Sequence, residues 1–402
     1  MTRRRGIESQ SRSEQRRVTE QYQLITTQPA LLTFCQQAQH ADFLAVDTEF
    51  VRTRTYYARL GLVQVQAGDA TALIDPVSLQ AEQSDAALAP LWQLFADPDK
   101  TLVIHAGGED YEILQQHMGC LPNAIFDTQI ACAMLGEGEA MGYAAMIEQR
   151  LGVMLDKSQS RTDWMQRPLA PAQLDYAAAD VLYLQQVYPQ LLAKAQEQGK
   201  LDLILAESAW QAEKRAQQIP DKWLFLYFGN AWQCTPEQRS VLRELVAWRQ
   251  QRARQADLPL GFVAKDHVLL DIARHQPTSK GQLHRVKELS SVTVRYAGDE
   301  LLAAIAAGIE AGPLQLKLRR INDIPGYKAD FAKIKQMAQQ VAKELDIPTA
   351  LVASRRQIND VIHWCRQIPS HARSELPLPD LFASWRGAKL KAPVEALLKE
   401  SQ

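Results

Sequence analysis

The stretch Phe43-Leu44-Ala45-Val46-Asp47-Thr48-Glu49-Phe50 constrains this chain more than any other. Its apolar start and its β-branched and aromatic residues predict a strand, and the period of two puts Asp47 and Glu49 on one face. Neighbouring carboxylates repel, and burial sharpens the repulsion, so a cation or a hydrogen-bond network must compensate. A divalent metal is the simplest compensator, and a solvated strand end is the plain alternative. Carboxylates from elsewhere in the chain decide between them.

The surrounding pattern predicts an α/β domain. A helix from Pro29 to Gln39 precedes the acidic strand. Leu60–Gln66 and Thr71–Asp75 follow as strands joined by the tight turn Ala67-Gly68-Asp69-Ala70, an antiparallel meander. Leu88–Phe95 reads as a helix, Leu102–His105 as a buried parallel strand, and Gly107-Gly108 as the opening of another helix. After Ala124–Asp127 the pattern turns helical, so residues 21–210 are expected to form a mixed sheet flanked by helices.

Two further features bear on the acidic strand. Asp110 lies near a helix start just past a strand, where α/β sheets tend to place sites, although a helix N-terminus also favours an acid for its own sake. In Leu174-Asp175-Tyr176-Ala177-Ala178-Ala179-Asp180, the alanines and apolar recurrence predict a helix with Tyr176 and Asp180 on one face, and the alanines allow close approach. Asp175 reads as a surface acid, and Tyr183 and Tyr188 as core residues.

These motifs together resemble the three exonuclease motifs of the DEDDy superfamily. They are Asp47-Thr48-Glu49, Asp110 within His105-Ala106-Gly107-Gly108-Glu109-Asp110, and Tyr176-x-x-x-Asp180. The flanks Thr55-Tyr56-Tyr57-Ala58-Arg59-Leu60-Gly61-Leu62-Val63-Gln64 and Thr162-Asp163-Trp164-Met165-Gln166-Arg167-Pro168-Leu169 narrow the resemblance to the ribonuclease D family. The loop before Asp110 departs from the family pattern in being richer in glycine, which bears on its rigidity. The resemblance implies a ribonuclease H-like exonuclease domain, with Asp47, Glu49, Asp110 and Asp180 as ligands of two divalent ions, Mg²⁺ or Mn²⁺. Asp47 is the best placed to bridge them, and Tyr176 would orient and help deprotonate the attacking water. It also implies stepwise hydrolysis from an RNA 3′ end, release of nucleoside 5′-monophosphates, and transfer RNA precursors as substrates. Hard ions take oxygen ligands, so carboxylates suit this chemistry and thiols are not needed.

Past Gln218 the composition shifts. An aromatic connector, residues 211–233, contains Pro220, Trp223 and Trp232, and Thr235-Pro236-Glu237 is a strong helix start. Leu258-Pro259-Leu260-Gly261-Phe262-Val263-Ala264 and Ile347-Pro348-Thr349-Ala350-Leu351-Val352-Ala353 form an internal repeat, followed by helices carrying Asp271 and Asp360 respectively. Two all-α modules, 234–312 and 313–402, are expected, and they resemble HRDC domains. Residues 1–210 carry 16 Lys+Arg against 26 Asp+Glu, residues 211–310 carry 14 against 11, and residues 311–402 carry 15 against 9. An acidic front and basic rear fit a metal-centred site with an anionic partner gripped by phosphate contacts from behind.

Other features limit the remaining classes. Cys35, Cys120, Cys132, Cys234 and Cys365 are scattered and odd in number, which argues against a disulfide framework or a zinc site and predicts packing roles. No apolar run approaches membrane-spanning length and the Arg-rich start lacks an apolar signal segment, so a cytoplasmic location is expected, with residues 1–20 as a mobile tail. No protein partner is evident. A DEDDy exonuclease acting on DNA would carry the same acids, and a catalytically silent RNA binder would be expected to have lost one of them.

Overall fold

The computed structural model describes residues 22–83, 85–156 and 158–400, so the expected tail at 1–20 lies outside the described residues. The described chain forms two compact units. One comprises residues up to Val51, Ala58–Ala216 and Leu345–Leu351; the other comprises Arg52–Tyr57, Gln217–Glu344 and Val352 onward.

The first unit is built on a six-stranded mixed sheet. Its strands are β1 (Tyr22–Ile25), β2 (Phe43–Val51), β3 (Arg59–Ala67), β4 (Ala70–Ile74), β5 (Thr101–Ile104) and β6 (Ala124–Asp127), in the order β1-β4-β3-β2-β5-β6. β2 runs antiparallel to β3 and parallel to β5, so the acidic strand is central. Helices α1 (Gln28–Ala38), α2 (Pro76–Gln83), α3 (Ala89–Phe95), α4 (Gly108–Met118), α5 (Thr128–Met134), α6 (Tyr143–Leu151), α7 (Pro171–Glu197) and α8 (Leu201–Ala216) complete the unit. α8 runs through the expected boundary at 210. Strand alternation sends Leu44, Val46, Val63 and Val65 into one core with Leu31, Phe34, Leu91, Phe95 and Leu114 of the helices. The opposite face places Leu62 and Leu73 in a second core with Trp164, Leu169, Ala177 and Ala178, so α7 lies directly over β2, β3 and β4. Ala177 and Ala178 are buried. Their small side chains let the helix approach the sheet closely.

One glycine fixes the segment before α7. Pairing between β2 and β3 shifts at Glu49/Phe50, because Glu49 pairs with Leu62 and Phe50 with Leu60, leaving Gly61 as the extra residue. A Cβ on Gly61 would lie 2.6 Å from the Trp164 carbonyl oxygen and 2.9 Å from the Trp164 Cβ. Arg167 ties the same segment down: it bonds Asp75 through Nε (2.7 Å) and Nη2 (2.6 Å), the Gly61 carbonyl (2.6 Å) and the Trp164 carbonyl (2.8 Å). Gly61→Ala is therefore expected to destabilise the unit by about 1–3 kcal/mol, since neither backbone can yield. Thermal denaturation checks this, at roughly 2–4 °C per kcal/mol for a unit of this size.

The second unit is helical. Its first module contains α9 (Pro236–Ala256), α10 (Leu260–Val263), α11 (Asp266–His275), α12 (Lys280–Leu283) and α13 (Ser291–Glu310). α9 begins at the expected Thr235-Pro236-Glu237 start, where Thr235 caps it in a capping box with Gln238. α9 and α13 cross so closely that a Cβ on Gly308 would lie 2.5 Å from the Val241 Cα. The second module contains α14 (Tyr327–Leu345), α15 (Thr349–Val352), α16 (Arg355–Gln367), α17 (Ser370–Arg373) and α18 (Ser384–Glu400), although Leu345–Leu351, with most of α15, group with the first unit. The repeat is visible in the fold: α10 and α15 are matching four-residue helices, each ending in a buried valine and leading into the helix that carries Asp271 or Asp360.

The packing role expected for the cysteines needs one correction. Cys35, Cys132 and Cys234 are buried and Cys365 is half-buried, but Cys120 is exposed. It follows Gly119, the left-handed residue that ends α4, so the chain is already leaving the core there.

Candidate active site

The site begins where β2 loses its regular pairing. Asp47 and Glu49 project toward α7, and α7 brings Asp180 to the same place. Oxygens from these three carboxylates lie within 4.8 Å of one another. Tyr176, one helical turn before Asp180, donates its phenolic hydrogen bond to that carboxylate. Its ring lies 6.2 Å from that of Trp164, so the segment held by Gly61 and Arg167 backs the tyrosine.

Asp110 is placed differently from the other three acids. Thr48 points to the opposite face of β2 from Asp47 and Glu49, and its hydroxyl donates to Asp110 Oδ1. Asp110 is buried in the first turn of α4 and stands beside the trio, close enough for its charge to raise Asp47 and Glu49. The loop ahead of it is held firmly despite its glycines. Asp127 accepts from the Ala106 amide (3.0 Å), the Gly107 amide (3.1 Å) and the Tyr111 hydroxyl (3.0 Å). Gly107 itself is required, because a Cβ there would lie 2.8 Å from both Ile104 and the Tyr111 ring.

Crowded acids with little water hold their protons. Burial, then the charges of Asp110, Asp180 and Glu49, raises Asp47 well above the usual carboxylate range. Burial and the charges of Asp180 and Asp110 push Glu49 up to about 9. Burial lifts Asp180 to about 7 against the Tyr176 hydrogen bond, and Asp110 to about 6 against its bond from Thr48. Burial and the three neighbouring carboxylates also raise Tyr176 far above the ordinary phenol value. A cluster so reluctant to ionise alone, with only oxygen donors, fits a hard divalent cation.

A pocket of about 230 Å³ opens beside the cluster, lined by Asp47, Tyr176 and Asp180 and by His105, Tyr143 and Asp156 among others. Tyr143 donates to the Ala179 carbonyl of α7 at 2.8 Å, and its ring meets that of His105 edge to face at 5.5 Å. Sequence reading missed these pocket residues, along with Thr48 and Asp127. His105 directly follows the carboxyl end of β5, a position that could have singled it out. The others carry no local pattern and are defined only by tertiary approach.

Comparison with known proteins agrees with this geometry. Residues 22–196 match a 3′-5′ exonuclease family model, 238–305 an HRDC domain model and 325–394 the model of the ribonuclease D C-terminal HRDC domain. Ribonuclease D of Cronobacter turicensis is 37% identical over 378 residues, covering 94% of this chain and 100% of that protein. Ribonuclease D of Escherichia coli K12 is 37% identical over 381 residues, covering 94% and 99%. The crystal structure of Escherichia coli RNase D, described as an exoribonuclease involved in structured RNA processing, superposes with a TM-score of 0.85 at 37% identity, covering 94% of this chain and 99% of that one. A six-stranded mixed sheet whose acids face α7, HRDC matches over residues 238–305 and 325–394, and similarity over 94% of the chain to these enzymes place the chain in the ribonuclease D family of 3′-to-5′ exoribonucleases.

Proposed function

We propose that Asp47, Glu49, Asp110 and Asp180 hold two divalent ions, Mg²⁺ or Mn²⁺, and that Tyr176 orients the water that attacks the terminal phosphodiester of RNA. The products are nucleoside 5′-monophosphates, and transfer RNA precursors in the cytoplasm are the substrate class. The observation that carries this reading is the convergence of three carboxylates from β2 and α7 within 4.8 Å, with the Tyr176 phenol bonded to one of them.

When bound, such ions lower the pKa of water and offset charge on the entering and leaving oxygens. The protein's own groups set the geometry. Asp47 and Glu49 are fixed by the β2 ladder, and Asp180 by a helix packed on that ladder. Asp110 is steadied by Thr48 and adds charge from the α4 side. Burial and the neighbouring carboxylates raise the Tyr176 phenol in the metal-free protein; with ions offsetting those charges, its hydroxyl would orient the attacking water and help deprotonate it. The working division is 21–210 for catalysis, 211–233 as connector, and 234–312 and 313–402 as two modules.

The helical modules are proposed to grip RNA. Their basic excess supports this, as do two exposed aromatics of the first module: Phe262 on α10, 59% exposed, and Tyr296 on α13, 65% exposed. Arg295 lies 5.3 Å over the Tyr296 ring, and Thr293 Oγ1 donates to the Val263 carbonyl at 3.3 Å, joining the two helices. Stacking on such rings contributes ~1–3 kcal/mol per base. The double variant Phe262→Ala/Tyr296→Ala is expected to bind a transfer RNA precursor at least about tenfold more weakly while hydrolysing a dinucleotide normally. Loss of Arg295 should reduce the slope of log affinity against log salt by ~0.7.

The test of the whole reading is a 5′-labelled RNA beside the matched DNA strand, with and without Mg²⁺, with products separated by chromatography. Mg²⁺-dependent shortening of RNA with nucleoside 5′-monophosphate release is expected. Equal degradation of both strands would favour the reading as a DNA exonuclease, and nucleoside 3′-monophosphates would contradict the proposed chemistry.

A further inference from the structure

Gln64 lies opposite Asp47 in the β2–β3 ladder and opposite Leu73 in the β3–β4 ladder. Residues directly opposed in antiparallel strands project to the same face with Cβ atoms ~4.5–5.5 Å apart. The Gln64 side chain therefore sits next to Asp47, on the face covered by α7. It is fully buried, and neither its Oε1 nor its Nε2 has a hydrogen-bond partner among the described residues.

A buried amide with both ends unsatisfied lowers stability, and an apolar side chain of equal shape would pack better. The contrast with its neighbour is direct. Gln66, two residues along the same face, donates to the Gly68 carbonyl at 2.8 Å and accepts from the Thr71 hydroxyl. On this face β3 thus carries one glutamine satisfied by the fold and one that is not, and the unsatisfied one is the cross-strand neighbour of Asp47. Leu62 and Leu73, on either side of Gln64, are apolar and buried and give the amide nothing to bond. Of the two residues directly opposite Gln64, Asp47 and Leu73, it is the Asp47 carboxylate that can accept from Nε2.

We propose that Gln64 is a positioning residue of the metal site: its amide donates to the Asp47 carboxylate when that group is ionised and ligating, fixing which oxygen faces the ion. This rests on the reading of Asp47 as a ligand. A hydrogen bond to a ligating carboxylate orients it, and removing such an outer partner typically weakens metal affinity by ~10–100-fold. The amide is then satisfied only in the loaded enzyme, so its value to the protein lies in binding and not in folding.

The experiment uses the full chain as wild type and as Gln64→Met, a close apolar match in shape, with Gln64→Leu as a second variant. Two quantities are measured: the thermal midpoint in EDTA, and Mn²⁺ affinity from the free-ion signal in electron paramagnetic resonance. The proposal expects the metal-free variants to be as stable as wild type or more so, with Mn²⁺ affinity lowered ~10–100-fold. A lower midpoint in EDTA with unchanged Mn²⁺ affinity would overturn it, showing that the amide serves the fold. If neither variant folds, the wild-type crystal structure with Mn²⁺ decides. Nε2 within hydrogen-bond distance of the Asp47 carboxylate supports the proposal, and an amide still unpaired or bonded elsewhere contradicts it. An Asp47→Asn control separates the two layers: if it binds Mn²⁺ like wild type, the ligand reading itself fails and the proposal with it, whereas loss of Mn²⁺ binding there with normal binding in Gln64→Met removes the proposal alone.

Discussion

Asp47→Asn is expected to lower exonuclease turnover by more than about 10³-fold, a loss of over ~4 kcal/mol in transition-state stabilisation, with the fold intact. Glu49→Gln, Asp110→Asn and Asp180→Asn are expected to act in the same direction, because each removes a negative charge at nearly constant volume. The metal-free variants should be at least as stable as wild type, since the trio is a set of repelling charges. Steady-state turnover on a labelled RNA and melting in EDTA check both halves. Retained activity in any two of the four would remove the assignment.

The same repulsion gives the metal-free protein a pH dependence of definite sign. Glu49, Asp180 and Asp110 have folded-state values raised to about 9, 7 and 6. The folded protein therefore binds protons that the unfolded chain releases near pH 4. The stability they confer is complete below that value and is lost as pH rises through roughly 6 to 9. A divalent cation must displace these protons, so its affinity should rise over the same interval.

Tyr176→Phe is the second large effect. The ring still packs beside Trp164, but the hydroxyl bonded to Asp180 is gone. Turnover is expected to fall by about 10²–10⁴-fold while metal and RNA affinity change little. The variant also frees the Asp180 carboxylate from a donor that favours its charged form, so Asp180 should ionise at higher pH still. Single-turnover kinetics alongside equilibrium RNA binding check this. Parallel collapse of affinity and turnover would make Tyr176 a stacking surface.

The parts of this site that were legible in the sequence share a physical cause. Asp47 and Glu49 follow from strand alternation, and Tyr176 with Asp180 from the helical repeat, so local geometry alone puts each pair on one face. The repeat in the helical modules was legible because each copy carries its own short helix and buried valine. Features that depend on distant approach were not. The bonds from Arg167 to Asp75 span 92 residues, and the clamp of Asp127 on the Ala106–Gly107 loop depends on how β5 and β6 pair. The separate placement of Asp110 arises because Thr48 faces the other way from its neighbours and offers a hydroxyl there. Gln64 looked like an ordinary strand residue, and only its unpaired amide within the folded sheet distinguishes it.

Titration of Mn²⁺ into the full chain by calorimetry, at pH 6 and pH 8 and in wild type beside Asp47→Asn, tests the central claim most directly. The account predicts binding to wild type that tightens from pH 6 to pH 8 with release of protons, and its loss in Asp47→Asn. Binding of equal strength in the two proteins, or binding to wild type that does not change with pH, would contradict it.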